Sequence, residues 1–317
     1  MSLNNISCEK YKMEKTISYI CNCEYKYFFN KSNVVGIGCG YKIKNGFYTN
    51  QLCIQVFVSR KLPLNELNTN DLIPALYKGI LTDIKETGGF TAYSLTQKIR
   101  PTPGGYIIAN EYNTNYSGTL GCLVTDNKDL FLLSNNHVLA RMNQIQLNTK
   151  IIQPSNEFGG DPKTDIIATL IRYIKIRFIE NYNMPFNYTD CGIAKIIDKS
   201  LVSPEIALVG IPKGVSNPKL NQPIKKVGAI SELTTGVIMS IHNTMTVNYQ
   251  DIKKSAIFKE QIFTSFMAEH GDSGAILLDQ NNNVIGLLMS GSKNTSVFNP
   301  IDTVLKQLNV NLVTSEI

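Results

Sequence analysis

Residues 268–279, AEHGDSGAILLD, place Gly-Asp-Ser-Gly directly ahead of an apolar run. The flanking glycines give the backbone conformations closed to other residues, so Ser273 can project while the N–H groups of Gly271 and Ser273 converge on one spot. A hydroxyl beside two converging donors is equipment for acyl transfer, a nucleophile next to an oxyanion hole. Taken alone, the tetrapeptide is also an ordinary turn composition. A serine hydroxyl is a poor nucleophile without a base that titrates near neutrality. The chain has three histidines, and His137, in LSNNHVLA at 133–140, stands where an apolar strand ends. It is the candidate base. A third group must fix the tautomer of the imidazole, and two aspartates precede apolar strands: Asp190 in TDCGIAKI and Asp165 in TDIIATLI. Asp190 is preferred, because the approach to Asp165, GGDPKT, reads as a turn whose aspartate caps or bends the chain. Asp165 stays open as the alternative acid.

These residues need elements to hold them. From about 106 onward the chain reads as short apolar strands separated by Gly, Asn and Pro, including GTLGCLVT, DLFLLSNN, PIKKVGAI, GAILLD and VIGLLMSG. Strands at such spacing favour a β-barrel or sandwich over a parallel sheet with crossover helices. A closing helix is expected in FNPIDTVLKQLNV, with Ile301, Val304, Leu305 and Leu308 on one side and Pro300 at its start. The first hundred residues differ. Ile6, Met13, Ile17, Ile20 and Phe28 recur at helical spacing over 6–29, two β-rich runs flank Asn45-Gly46, and a further strand is expected at 80–85. The spacing predicts a small α+β domain over 1–100, closed by KIRPTPGG at 98–105, and a mostly β domain over 101–317.

Composition narrows the field of functions. With 43% hydrophobic and 18% charged residues the chain is an ordinary folded protein, large enough for more than one core. The net charge of +6 comes from scattered Lys and Arg, which gives no basic tract for nucleic acid or a membrane surface. No run is long and apolar enough to cross a bilayer, and the polar start MSLNNISCEKYKMEK lacks the apolar core of a secretory signal, so a cytoplasmic location is expected. Seven dispersed cysteines fit free thiols, and Cys21 and Cys23 form only a C-x-C pair without a second zinc-spaced pair. No metal and no organic cofactor is expected.

In order along the chain, GTLGCLV, SNNHVLA, TDCGIA, KVGAISELTTGVI, GDSGAIL and VIGLLMSG resemble the trypsin-like serine peptidases with the chymotrypsin-like double β-barrel, over about 105–310. The nearest likeness is to intracellular bacterial and plant members that carry extra N-terminal sequence. The resemblance implies a Ser-His-Asp triad of Ser273, His137 and Asp190, an oxyanion hole at Gly271 and Ser273, and a substrate-pairing strand edge at Met289, Ser290 and Gly291. It implies a serine endopeptidase acting on protein or peptide substrates through an acyl-enzyme. Met267 stands where a trypsin would carry its pocket acid, six residues before the serine, so cleavage after Lys or Arg is not implied and an apolar or small side chain is expected there. No Arg-Ile-Val-Gly activation sequence precedes the barrel, so Asp272 needs a partner other than a newly cut amine. His270 either touches substrate or faces solvent. A rival reading keeps the barrels as a catalytically silent or partner-activated peptide-binding scaffold, with the N-terminal domain as a regulatory or homo-oligomerisation module.

Overall fold

A computed structural model describes residues 3–44, 46–89, 94–112, 116–181 and 183–317. The chain divides into two compact units, Met1–Tyr93 and Ser94–Ile317. In the first, α1 (Leu3–Cys23) and α2 (Lys26–Phe29) accompany β1 (Val34–Lys44), β2 (Phe47–Val58), β3 (Leu76–Tyr77) and β4 (Ile80–Glu86). The strand order is β1-β2-β4-β3, with β2 and β4 parallel. Ile17 and Ile20 of α1 meet Phe28, Ile54, Val56 and Ile80 in a small core, which is what the helical spacing of the apolar residues required. The single helix expected over 6–29 is two helices. The break falls at Glu24, whose carboxylate accepts from Tyr77 Oη at 2.9 Å and Lys78 Nζ at 2.6 Å, and Phe28 then packs edge-on to the Tyr77 ring. Asn45 of the expected hairpin turn lies outside the described residues; Lys44 faces Phe47 across the turn, and Gly46 has the positive φ of 82° that such turns ask of glycine.

The second unit is mostly β. It opens with β5 (Thr102–Gly104), followed by β6 (Ile107–Asn110), β7 (Gly118–Thr119), β8 (Leu123–Thr125), β9 (Leu130–Ser134), the single turn α3 (Asn136–Leu139), β10 (Lys150–Ile152), β11 (Ile166–Tyr173), β12 (Phe186–Asn187) and β13 (Gly192–Ile196). β7 and β8 lie on one extended run, with β7 paired to β6 and β8 paired to β9. Continuing β9-β13-β11-β10-β6, the hydrogen-bonded path returns to its start, so these strands close a barrel.

Beyond it come β14 (Val202–Ile206), β15 (Gly214–Val215), β16 (Pro223–Gly228), β17 (Glu232–Tyr249), β18 (Lys254–Ser265), β19 (Ile276–Leu278), β20 (Asn283–Gly291), β21 (Thr295–Pro300), α4 (Ile301–Leu308) and β22 (Asn311–Leu312). Here the path runs β16-β17-β18-β21-β20-β19 and back to β16. First with second, second with third, third with sixth, sixth with fifth, fifth with fourth and fourth with first: both barrels follow one strand order. The double β-barrel implied by the resemblance is therefore the architecture observed.

Each barrel has its own apolar filling. Ile108, Leu132, Ile151 and Leu170 pack inside the first, and Ile224, Ile238, Leu277 and Phe298 inside the second. A third cluster joins Val124, Phe131 and Ile193 of the first barrel to Val227, Ile276 and Leu287 of the second, together with Ile301, Val304 and Leu308 of α4. Burial of a side chain of this size stabilises by roughly 1.5–3 kcal/mol, so this shared cluster fixes the groove in which the two barrels meet. Cys122 and Cys191 lie in it, and burial pushes the Cys122 thiol up to about 12, which keeps it protonated and inert. All seven cysteines are free.

The segment read as the join between domains is built into the second unit. Leu95 is buried in the shared cluster, Arg100 donates to the carbonyl of Gln153 at 2.8 Å, and β5 pairs in parallel with β14. Its glycines serve close packing there: a Cβ at Gly104 would sit 2.3 Å from the carbonyl oxygen of Gly121. Among the described residues no helix is long and apolar enough to cross a membrane.

Candidate active site

β9 ends at Ser134, and two asparagines convert the strand into the turn of helix that carries His137. Asn135 Nδ2 donates to the carbonyl of Asp190 at 2.7 Å, while Asn136 Nδ2 reaches Asn143 Oδ1 and the carbonyl of Ile174, both at 2.8 Å. The backbone around the imidazole is thus tied to the chain that delivers Asp190.

Asp190 stands just before β13 and is fully buried. Its Oδ1 accepts from the backbone N–H of His137 at 3.1 Å, and its Oδ2 accepts from His137 Nδ1 at 2.6 Å. Its own N–H donates to Asn299 Oδ1 on β21 at 2.9 Å, so the second barrel holds the acid of the first. With Nδ1–H committed to the carboxylate, the neutral ring keeps its lone pair on Nε2. Asp165, the alternative acid, is elsewhere. Its carboxylate is paired with Lys98 and accepts from the N–H of Asp161 at 3.0 Å. Burial would raise its pKa, but Lys98 and these donors hold it below the ordinary carboxylate range. It caps a turn, as GGDPKT suggested.

Ser273 follows Gly271 and Asp272 on the turn into β19. The two glycines of this turn have φ of 104° and 98°, and a Cβ at Gly274 would lie 2.3 Å from the carbonyl oxygen of Thr119. Glycine is obligatory on both counts. Within the turn the N–H of Asp272 is used by the carbonyl of Glu269 and that of Gly274 by the carbonyl of Leu288, both at 3.0 Å. Among the described residues the alternate N–H groups, of Gly271 and Ser273, have no partner. They are the pair that the sequence pointed to as oxyanion donors. The Ser273 hydroxyl likewise has no hydrogen-bond partner among the described residues, and Ser273, Gly271 and His137 line one cavity of about 610 Å³.

Asp272 supplies the rigidity. It is fully buried and accepts from Lys226 Nζ at 3.0 Å, Ser231 Oγ at 2.5 Å, and the N–H groups of Ile230, Ser231 and Glu269 at 2.8–3.0 Å. Burial opposes ionisation, but Lys226 and these donors hold the carboxyl below the usual range. Lys226, fully buried on β16, is the partner that the missing activation sequence left unnamed. Its signal was a lysine inside the apolar run PIKKVGAI.

Met289, Ser290 and Gly291 all line the cavity. β19 accompanies β20 as far as Leu287, and beyond it, among the described residues, Ser290 and Gly291 have a strand partner on one side only, in β21. Met267 does not line the cavity. It is buried among Ile224, Ile238 and Phe298, and its neighbours Phe266 and Ala268 take the cavity wall instead, because side chains alternate across the chain there. His270 is exposed at the rim of the cavity. One residue escaped the sequence reading altogether: Tyr249, at the end of β17, donates its hydroxyl to Asp190 Oδ2 at 3.1 Å. The alternation of Met245, Val247 and Tyr249 was its only signal. Among the described residues no cluster of His, Cys, Asp or Glu could hold a metal ion.

No protein-family profile matches the chain. Among solved structures it is similar to Thermobifida fusca protease A, at 19% identity and a TM-score of 0.48 over 67% of this chain and 98% of that one. A glutamic acid-specific serine protease matches at 20% identity and 0.48, over 67% of this chain and all of that one. Cellulomonas bogoriensis chymotrypsin matches at 16% and 0.48, over 68% and 99%.

Proposed function

We propose that the barrel unit is a serine endopeptidase. The observation that carries this reading is the convergence on one cavity of an imidazole held by a buried carboxylate and, without partners among the described residues, a serine hydroxyl and two backbone N–H groups beside it. In the proposed reaction His137 Nε2 takes the proton of Ser273 as Oγ attacks a peptide carbonyl. The tetrahedral oxyanion is received by the N–H groups of Gly271 and Ser273. The same proton passes to the leaving amine, and water then hydrolyses the acyl-enzyme by the reverse path. Asp190 keeps the ring in the reactive tautomer and stabilises the imidazolium. The half-free edge at Met289, Ser290 and Gly291 suits main-chain pairing with an extended substrate.

A fluorophosphonate probe tests the reading directly. Labelling at Ser273 in the full chain, abolished in Ser273→Ala and strongly reduced in His137→Ala, is the expected result. A folded protein that takes no label and leaves a diverse peptide library uncut would make the barrels a binding scaffold.

A further inference from the structure

β17 and β18 are far longer than the other strands of their barrel, at 18 and 12 residues. Their outer halves form a hairpin that leaves the barrel. Exposure alternates along 241–249, with Ile241, Asn243, Met245, Val247 and Tyr249 on the covered side. That side packs on Ile176 and Phe178, from the segment joining β11 to β13 in the first barrel. The same segment is stitched to the hairpin by backbone. β12 pairs in parallel with β18, with Phe186 facing Ile257 and Asn187 facing Phe258, and the N–H of Ile179 donates to the carbonyl of Ser255 at 2.8 Å. Asp190 is the next stop along that segment. The hairpin therefore grips the chain that delivers the acid, and Tyr249, the last residue of β17, touches the acid itself.

We propose that Tyr249 is a positioning residue for the triad, delivered by the hairpin of the second barrel to hold the Oδ2 of Asp190 in line with His137. This rests on the reading of His137 as the base. Oδ2 accepts from two donors, the imidazole Nδ1 and the Tyr249 hydroxyl, while Oδ1 accepts from the N–H of His137. The phenol ring is itself fixed, edge-on to Phe178 with centroids 5.8 Å apart. Burial, and after it the charge of Asp190, raises the Tyr249 phenol well above its ordinary value, so it stays a donor throughout the working range of pH. A neutral donor on Oδ2 fixes the carboxylate plane and takes up part of its charge. It thereby moderates the pull of the carboxylate on the protonated ring.

The test is Tyr249→Phe in the full chain, which keeps the ring and removes the hydroxyl. Without the competing donor, the carboxylate favours the imidazolium more strongly, so the acid limb of kcat/KM moves to higher pH. kcat falls by about tenfold, the scale of one hydrogen bond to a charged group, with KM little changed. 3-Fluorotyrosine at 249, a stronger donor, moves the limb the opposite way. The Nδ1 proton resonance of His137 moves with each variant and can be read whether or not peptide is cleaved. The other ionisable groups lining the cavity, Glu157, Asp251, Glu269, His270 and Tyr116, and the buried Cys191 beside Asp190, are the same in all three proteins. An unmoved acid limb and an unmoved proton resonance, with only the unfolding temperature lowered, would reduce Tyr249 to packing and overturn the proposal. A moved resonance in a protein that takes no fluorophosphonate label would instead strike the peptidase reading and leave the positioning role standing.

Discussion

The two barrels share a strand order, and each sets one fully buried aspartate against residues of the cavity wall, Asp190 on His137 and Asp272 on Ile230 and Glu269, yet the two carboxylates are neutralised in different ways. Asp272, of the second barrel, faces the ammonium of Lys226, which is as buried as itself, and four further donors. Asp190, of the first, faces neutral donors and an imidazole whose charge can change. A carboxylate matched by a buried ammonium and four further donors is held in one place, and it fixes the turn that carries Ser273. A carboxylate met by a titratable ring has something left to do when a proton arrives on that ring. On the proposed function, the same side chain is thus a bolt in one barrel and a working part in the other, and the difference lies in the partner.

Substituting the working part should have the largest effect. Asp190→Asn keeps the volume but offers His137 either an amide N–H or a weaker acceptor, which favours the wrong tautomer. On the precedent of the serine-protease triad, kcat should fall by about 10³ to 10⁴ with KM and the unfolding temperature much less affected. Steady-state kinetics beside thermal unfolding would check this. A loss of tenfold or less would mean that the imidazole is oriented by something other than Asp190.

Substituting the bolt should act through stability first. Lys226→Met leaves Asp272 buried without its cation, which typically costs about 3–5 kcal/mol. The direction with pH is diagnostic. In the parent protein the folded carboxyl lies below its unfolded value, so this contribution is complete above about pH 4 and is lost as pH falls through the folded value. In Lys226→Met the buried carboxyl prefers its proton, so stability should instead fall as pH rises. Denaturant unfolding from pH 3 to 8 reads both slopes, and parallel curves for the two proteins would separate Asp272 from Lys226.

Legibility in the sequence follows the same division. The glycines of the Ser273 turn and the strand-ending position of His137 were readable because each rests on local chemistry that its neighbours report, and the fold sets Asp190 against His137 and Asp165 against Lys98. Lys226 and Tyr249 were not readable, since neither stands in a turn or motif that marks a site: each lies in a strand of ordinary composition, and only the fold brings Lys226 to Asp272 and Tyr249 to Asp190. Met267 failed for a different reason. It was located by its count from the serine, but the pleat of the chain decides which side chain meets the cavity, and it turns Met267 into the barrel core while Phe266 and Ala268 face the groove. KIRPTPGG looks like a linker by composition, whereas in the fold it belongs to the second unit, where Gly104 meets the carbonyl of Gly121 and Gly105 meets Val227.

A third aspartate marks the lower end of the comparison. Asp165 also pairs with a lysine, but Lys98 is half exposed, so solvent screens the pair and a surface-type value of about 1 kcal/mol or less is expected for it. The N–H of Asp161 and the Thr164 hydroxyl are its other donors, and an asparagine at 165 can still accept a bond from the N–H. Asp165→Asn should therefore lower the unfolding free energy by about 1 kcal/mol, with the loss shrinking in high salt and disappearing in acid, where the parent carboxyl is itself protonated. kcat/KM should be unchanged, because Asp165 touches neither the cavity nor any residue of the proposed triad. A fall in kcat/KM comparable to that of Asp190→Asn, in a protein of normal stability, would erase the distinction between an aspartate bound to a fixed cation and one bound to a titrating ring.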